Sequence, residues 1–261
     1  MEKISVTLKE LAYLAAELGA KELFGIRDPY YGMTAEEIHR GKASLQTALD
    51  QKGIVEMDFS GKSTITEKAK QLVSVCAFCD AYVVSDARGG EAEQLFTAYC
   101  KDGHWVLLEH GAEVSDLYTC EAGSIAEKIG AAVPDGAAKD AGAEQFCFAC
   151  ELIAQAQGLL QGGQPQEAET VLLEGGLNRR AAEILLAGLQ GKGIFCTLAG
   201  VSFKRNEVRS LLGIAAGDAV LCMEQDPAVP EGTQWRAVVC PASGYRQKAE
   251  ALLDAMEVTG P

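Results

Sequence analysis

The sequence predicts an α+β fold in which two halves, related by a pseudo-twofold axis, share a largely antiparallel central sheet flanked by helix clusters. Three observations favour this architecture. Segments with helical periodicity surround short extended runs in both halves of the 261-residue chain. The pair Asp102-Gly103 separates two alternating runs and indicates a hairpin. Four short stretches of the first half also recur, in the same order, in the second half, as expected for an internal duplication.

The first half begins with two helices whose starts are marked by capping boxes. Thr7 with Glu10 predicts a helix that ends near Gly19, and Thr34 with Glu37 predicts a second helix that ends at Gln51. A short strand at 54–57 and a third helix from about residue 66 to residue 79 are expected next. Alternation and turn residues then predict four strands and a closing helix, at 81–84, 94–99, 104–109, 114–119 and 124–133.

The second half repeats this mixture of helices and strands. Periodicity predicts helices at 144–160, 178–190, 206–216 and 245–256, a strand at 194–197, and a hairpin that joins 218–223 to 234–240. Residues 135–143 are small and polar and lack periodicity, so they are interpreted as a linker. The predicted organisation is therefore a first half at 1–134, a linker at 135–143 and a second half at 144–261, joined as one compact unit.

The proposed repeat depends on four ordered matches. They are Leu49–Ile54 with Leu189–Ile194, Asp80–Val84 with Asp218–Cys222, Trp105 with Trp235, and Ala126–Ile129 with Ala249–Leu252. The two tryptophans are the only ones in the chain. We therefore expect Trp105 and Trp235 to occupy equivalent strand positions in a single sheet.

The composition and charge of the chain indicate which partners it could bind and where it is located. The apolar fraction of 48% and the charged fraction of 23% are typical of globular proteins. A net charge of −14 disfavours nucleic acid and anionic membranes and favours a partner with a basic patch. The start of the chain lacks the apolar stretch of a secretory signal, and no window reaches the ~18 apolar residues of a membrane span. With nine cysteines expected to be mostly reduced thiols, a cytoplasmic location is predicted.

Two CxxC pairs are the main candidates for chemistry. Cys76 with Cys79, and Cys147 with Cys150, could together bind zinc, or either pair could act as a redox dithiol. Both pairs fall within predicted helices beside phenylalanines, which favours packing in the core. We expect all four thiols to be buried and reduced, with no metal and no cofactor. A CxxC-dependent metal or redox enzyme remains an alternative.

Known catalytic motifs are missing from the sequence. No GxGxxG follows a predicted strand, and neither GxxxxGK[ST], HExxH nor GxSxG occurs. The chain is therefore interpreted as a binding protein and not as an enzyme. Two loops carry apolar or aromatic groups that could bind a partner: Phe24–Tyr31, which contains Tyr30 and Tyr31, and Asp226–Pro230, which contains Val229.

Several stretches resemble the EspG family, the cytosolic chaperones of ESX (type VII) secretion systems, as a divergent, Firmicute-like member. They are the opening helix at 7–19, the step from a helix into a strand at 45–54, the central hairpin at 97–108 and the helix at 125–134 that ends in proline. The two-half architecture is also that of the family. The cysteine content and the short hairpin in the second half depart from the family's pattern.

The resemblance implies a non-catalytic chaperone or adaptor that binds a helical-hairpin protein and keeps it soluble before export. In the family the partner lies against the sheet and the C-terminal helices. By that match, the positions expected to contact the partner lie in the loops 86–91 and 225–231 and in the last helix. The candidate contact residues in the two loops are Asp86, Arg88, Glu91, Asp226, Val229 and Glu231, in addition to the two tyrosines of the aromatic loop. An immunity-type or structural protein that binds one partner without escorting it is the other alternative.

Overall fold

The computed structural model describes residues 3–90, 92–133, 145–225 and 234–257. Its first half contains β1 (Lys3–Val6), α1 (Leu8–Glu17), α2 (Ala35–Gln51), β2 (Val55–Met57), β3 (Ser63–Ile65), α3 (Glu67–Ala77), β4 (Ala81–Gly89), β5 (Ala92–Lys101), β6 (His104–Glu109), β7 (Ser115–Cys120) and α4 (Ala122–Ala131). The second half contains β8 (Gln145–Ala149), α5 (Glu151–Gln161), α6 (Pro165–Glu174), α7 (Arg179–Leu189), β9 (Ile194–Ser202), β10 (Glu207–Ala216), β11 (Ala219–Gln225), β12 (Gln234–Cys240) and α8 (Ala242–Met256).

Ten of the described strands form one antiparallel sheet, which confirms the predicted fold class. Their order is β1-β7-β6-β5-β4-β9-β10-β11-β12-β8, and β2 pairs with β3 in a separate hairpin. The order is the same in both halves when each is followed from its edge to the centre of the sheet. The first half runs β1-β7-β6-β5-β4, and the second half runs β8-β12-β11-β10-β9. The halves meet where β4 pairs with β9.

The pairing register repeats as well as the order. The pair Phe96–Glu109 of β5 and β6 corresponds to Leu211–Glu224 of β10 and β11, with both residues 115 positions further on. The pair Trp105–Cys120 likewise corresponds to Val220–Cys240, at separations of 115 and 120. At the centre, Ser85 pairs with Leu198, its own counterpart, so the pseudo-twofold axis passes through this pair.

Helices cover the two faces of the sheet differently. On one face α4 and α8 pack together over the centre, and a single hydrophobic core runs beneath them across both halves. On the other face α1, α2 and α3 cover the first half, and α5, α6 and α7 cover the second, each group over its own core. Alternating side chains on the strands supply the two layers, as the pleat requires.

Both predicted capping boxes are present. The Thr7 hydroxyl accepts from the Glu10 backbone N–H while the Glu10 carboxylate accepts from the Thr7 N–H, and Thr34 and Glu37 repeat the pattern. Glu10 is also buried, and Lys52 at the end of α2 reaches its two carboxylate oxygens at 2.6 and 2.9 Å. This pair ties the start of α1 to the end of α2.

Two helix predictions were wrong in whole or in part: the predicted helix at 206–216 is a strand, and the one at 144–160 begins with a strand before α5. Within 144–160, residues Gln145–Ala149 form the edge strand β8, because Phe146 and Phe148 alternate onto the core while Cys147 points outward. Within 206–216, Glu207–Ala216 form β10. This strand is covered on both faces, so its apolar run is nearly continuous and matches a helical pattern equally well.

Three elements were not anticipated: the edge strand β1, the short strand β3, and α6, which Pro165 opens at its first turn. The predicted hairpins and the helix at 178–190 are confirmed. Asp102 and Gly103 both adopt left-handed backbone conformations in the β5–β6 turn, as a tight hairpin requires.

The matches used to propose a repeat mostly join elements that do not correspond. Trp105 lies on β6 and Trp235 on β12, whereas the counterpart of β6 is β11, so the expected equivalence of the tryptophans is wrong. The match of β4 with β11 fails for the same reason. Only the match of α4 with α8 joins equivalent elements. The repeat in the structure is carried by strand order and register. From α3 to α4 the separations run from 112 residues (Glu67 to Arg179) to 120 (Ala122 to Ala242), and the edge strands β1 and β8 are 142 residues apart (Ile4 to Phe146).

Candidate functional site

The centre of the sheet is open on the face that carries the two helix groups. On this face α3 packs on β5 to β7 and α7 packs on β10 to β12, which leaves the middle strands between them. We call this area the central surface and define it by Asp86, Arg88, Leu95, Thr197 and Val208. Thr197 and Arg88 are exposed, and Val208 is 72% exposed.

The strand register sets the geometry of the central surface. Asp86 on β4 lies directly between Leu95 on β5 and Thr197 on β9. Arg88, two residues along β4, donates from Nε to Asp86 Oδ1 at 2.8 Å. Hydrogen bonding to this carboxylate and its negative charge raise the pKa of Arg88. The surface therefore combines a mutually neutralised pair with exposed apolar groups, a composition suited to contact with another protein.

One end of the central surface is closed by aromatic side chains. Phe24 stacks on Tyr82 of β4 with ring centroids 5.9 Å apart, and it contacts Phe203 at 4.6 Å. The Tyr99 hydroxyl donates to the Phe24 carbonyl at 2.8 Å. Gly25 lies so close to Tyr82 that a Cβ atom there would come within 2.9 Å of its ring. The start of the aromatic loop is thus folded onto the sheet.

Tyr30 and Tyr31 lie on the first helix group and are not brought together with Asp86 and Arg88. The Tyr30 hydroxyl donates to the carbonyl of Lys9 on α1 at 2.9 Å, and burial raises its pKa. Tyr31 is 79% exposed. Four other candidate contact residues, Glu91, Asp226, Val229 and Glu231, lie outside the described residues, as does the predicted linker 135–143.

Thr197 and Val208 were missed as candidates. Val208 fell within a predicted helix, and the strand predicted around Thr197 was only four residues long. Neither β9 nor β10 alternates cleanly between polar and apolar residues, so the local sequence pattern gave no signal for these two positions.

The CxxC pairs do not form one site. Cys76 is buried in α3, as expected, and burial raises the pKa of Cys79, just after that helix, to about 12. Cys147 is exposed on β8, and Cys150 stands at the start of α5, so the expectation that both are buried on a helix was wrong for Cys147. Within the described ranges, no group of three or more His, Cys, Asp or Glu residues could hold a metal ion.

None of the described helices combines the length and the apolar character needed to cross a membrane.

Comparison with known proteins is informative at the level of fold. The class that the architecture defines is an α+β protein with two similar halves on one antiparallel sheet. No protein-family model matches the chain, and no curated protein matches it. Among solved structures, the chain is similar to the Mycobacterium tuberculosis type VII secretion system chaperone EspG5, solved in complex with the PE25–PPE41 dimer. The TM-score is 0.65 at 13% identity, over 100% of this chain and 97% of that one.

Proposed function

We propose that this chain is a chaperone or adaptor of a type VII secretion system that binds a helical protein partner. The observation that carries the proposal is the full-length similarity in fold to EspG5, which was solved bound to a PE25–PPE41 dimer. The stretches of sequence that resemble the same family agree with this proposal. The finer hypothesis is that the partner presents a helical hairpin and is kept soluble before export.

We place the partner on the central surface and the neighbouring loops. A helix needs an apolar strip with space on both sides. The area between the two helix groups offers Leu95, opposite Asp86, and Val208, which lies on the same face toward the Tyr82 end of the sheet. A stable interface buries on the order of 1,200–2,000 Å². Further segments must therefore contribute to the interface, and the candidates from the sequence are Tyr31 and the loop 225–231.

The net charge of −14 is expected to act mainly on association. A basic partner would be attracted over a long range, whereas the contacts in the apolar strip would set the lifetime of the complex. Added salt should then slow association and leave dissociation nearly unchanged. Surface plasmon resonance at two salt concentrations measures both rates.

The direct test is co-expression with the helical-hairpin proteins encoded beside the gene, followed by pull-down and measurement of affinity. Val208→Asp and Arg88→Glu should each weaken binding at least about ten-fold, because they place a charge in the apolar strip or reverse one in the central pair. Val114→Asp is the matched control, since Val114 is also exposed (44%) but lies in the β6–β7 turn.

Tyr30→Asp and Val229→Asp test the candidate loops. If no neighbouring helical protein binds, the chaperone proposal is wrong. If a partner binds and only the loop variants weaken it, the central surface is not the site.

The division into halves at 1–134 and 144–261, and their origin by internal duplication, are proposed on the repeated strand order and register. Homologous sequences that align the segment from α3 to α4 with the second half at separations of 112 to 120 residues would support a duplication. Consistent alignment of β6 with β12, at the separation of the tryptophans, would contradict this version of it.

A further inference from the structure

Two cysteines outside the CxxC pairs lie in contact on the α8 face of the sheet. Cys222 on β11 and Cys240 at the end of β12 have their Sγ atoms 3.2 Å apart. In the strand register Cys222 is opposite Val238, and Cys240 is opposite Val220, so the cysteines are diagonal neighbours on adjacent strands. Diagonal neighbours on one face are close enough for their side chains to interact.

Cys240 is placed at the start of a long helix. α8 begins two residues later, at Ala242, and a Cβ atom at Gly244 in its first turn would come within 3.1 Å of Cys240 Sγ. Only glycine lets the sulfur approach the turn so closely. The partial positive charge at a helix N-terminus stabilises a thiolate.

The two thiols differ in acidity and access. The hydrogen bond with Cys222 and the charge of Lys248 lower the pKa of Cys240, against the effect of burial. The hydrogen bond to Cys240, followed by burial, raises the pKa of Cys222. Cys240 is half-buried, whereas Cys222 is fully buried. Cys240 is thus suited to attack a molecule from solvent, and Cys222 to react only with Cys240.

The pseudo-equivalent position in the first half lacks these features. Cys120 corresponds to Cys240, but Leu107 stands where Cys222 would be and Glu121 where Pro241 is. Burial and the Glu121 charge raise the pKa of Cys120 to about 12. Cys120 is therefore an internal control for the reactivity of Cys240, because it occupies the equivalent strand position before the equivalent helix.

We propose that Cys222 and Cys240 form a reversible redox site that reacts with low-molecular-weight disulfides. The Cys240 thiolate attacks one sulfur of the small disulfide, so that a mixed disulfide forms and one small thiolate leaves. Cys222 then attacks the Cys240 sulfur and its proton passes to the departing second small thiolate, which leaves as a thiol with the Cys222–Cys240 disulfide formed. Two protein thiols are oxidised and one small disulfide is reduced to two thiols.

The product bond ties β12 to β11 directly beneath the start of α8. Forming it requires the Sγ atoms to move from 3.2 Å to about 2.05 Å. The site lies on the face opposite the central surface, so it is separate from the proposed partner-binding area.

The test uses the reduced full-length chain incubated with oxidised glutathione, quenched with N-ethylmaleimide and mapped by mass spectrometry. The wild-type chain should yield a peptide cross-link between Cys222 and Cys240 that dithiothreitol reverses. Cys222→Ser should instead accumulate a glutathione adduct at Cys240, at least about ten-fold faster than at Cys120.

Cys120→Ser is the control and should leave the cross-link unchanged. The wild-type map requires no substitution, so it decides the proposal even if Cys222→Ser folds poorly. A chain that forms no Cys222–Cys240 link, or a Cys240 adduct that forms no faster than the one at Cys120, would overturn the redox site.

Discussion

The two halves have the same backbone register but fill it with different side chains. One ion pair is kept: Lys128 donates to Glu109 at 2.7 Å, and at the equivalent positions Lys248 donates to Glu224 at 2.5 Å. Each pair joins the helix of the shared face, α4 or α8, to the strand beneath it.

The side chains packed between the sheet and these two helices differ in size between the halves, and a larger residue on the helix is matched by a smaller one on the strand. Ile125 of α4 corresponds to Tyr245 of α8, and both are fully buried. On the strand below, Ala98 of β5 corresponds to Gly213 of β10. A Cβ atom at Gly213 would lie 2.8 Å from the Tyr245 ring, so the larger aromatic requires the smaller strand residue. Backbone pairing preserves the architecture, while volume is balanced locally between neighbouring positions.

The largest expected effect comes from separating the halves. When residues 1–134 and 144–261 are produced as two chains in one cell, they should copurify through a tag on either chain. Each half alone would expose the β4 or β9 edge and half of the core shared by α4 and α8, so each should aggregate.

Size-exclusion chromatography and circular dichroism distinguish the outcomes. A half that purifies alone as a monomer with cooperative unfolding would show that the halves are independent domains, contrary to the shared core.

The next effect tests the compensated packing. Gly213→Ala should lower the free energy of unfolding by about 1–3 kcal/mol, because the new methyl overlaps the Tyr245 ring. Adding Tyr245→Ile reproduces the pair of residues found in the first half, alanine on the strand and isoleucine on the helix. The double variant should recover most of the lost free energy of unfolding, measured with urea.

Gly158→Ala is the matched control, since Gly158 lies in α5 with open space at its Cβ position, and it should not destabilise the chain. A double variant that is less stable than Gly213→Ala alone would argue against local compensation.

A smaller loss of stability is expected from substitutions at the start of α1, which differs from the start of its counterpart α5. The start of α1 has a buried capping box and an ion pair, whereas its counterpart α5 begins at Cys150 with helical backbone angles. Glu10→Ala should therefore cost about 1–2 kcal/mol in urea unfolding. Glu37→Ala removes the same box from an exposed site and should cost clearly less. Equal losses would mean that the Lys52 contact adds nothing.

The smallest loss of stability is expected from removing the ion pair that both halves share. Lys128→Met and Lys248→Met should each change stability by less than about 1 kcal/mol, because both pairs are partly exposed. Only Lys248→Met should slow alkylation of its neighbouring cysteine, Cys240, since it removes the positive charge that favours the thiolate. Iodoacetamide kinetics give this rate, and slowing at Cys120 in Lys128→Met would remove the contrast between the halves.

Local signals in the sequence predicted much of the fold and little of the site. Capping boxes and the Asp102–Gly103 turn depend on neighbouring residues, and both were predicted correctly. β10 was missed because a strand buried on both faces loses the alternation that distinguishes strand from helix. The contact between Cys222 and Cys240 depends on strand register, which the sequence pattern did not define.

The twofold arrangement also places two equivalent strands, β1 and β8, at the edges of the sheet within the described residues. An unpaired strand at each end could join the corresponding strand of another copy, and repetition would build an open-ended filament. The edge strands are only four and five residues long. Short edge strands limit the number of hydrogen bonds that such pairing could form, so we expect the lengths of β1 and β8 to disfavour polymerisation.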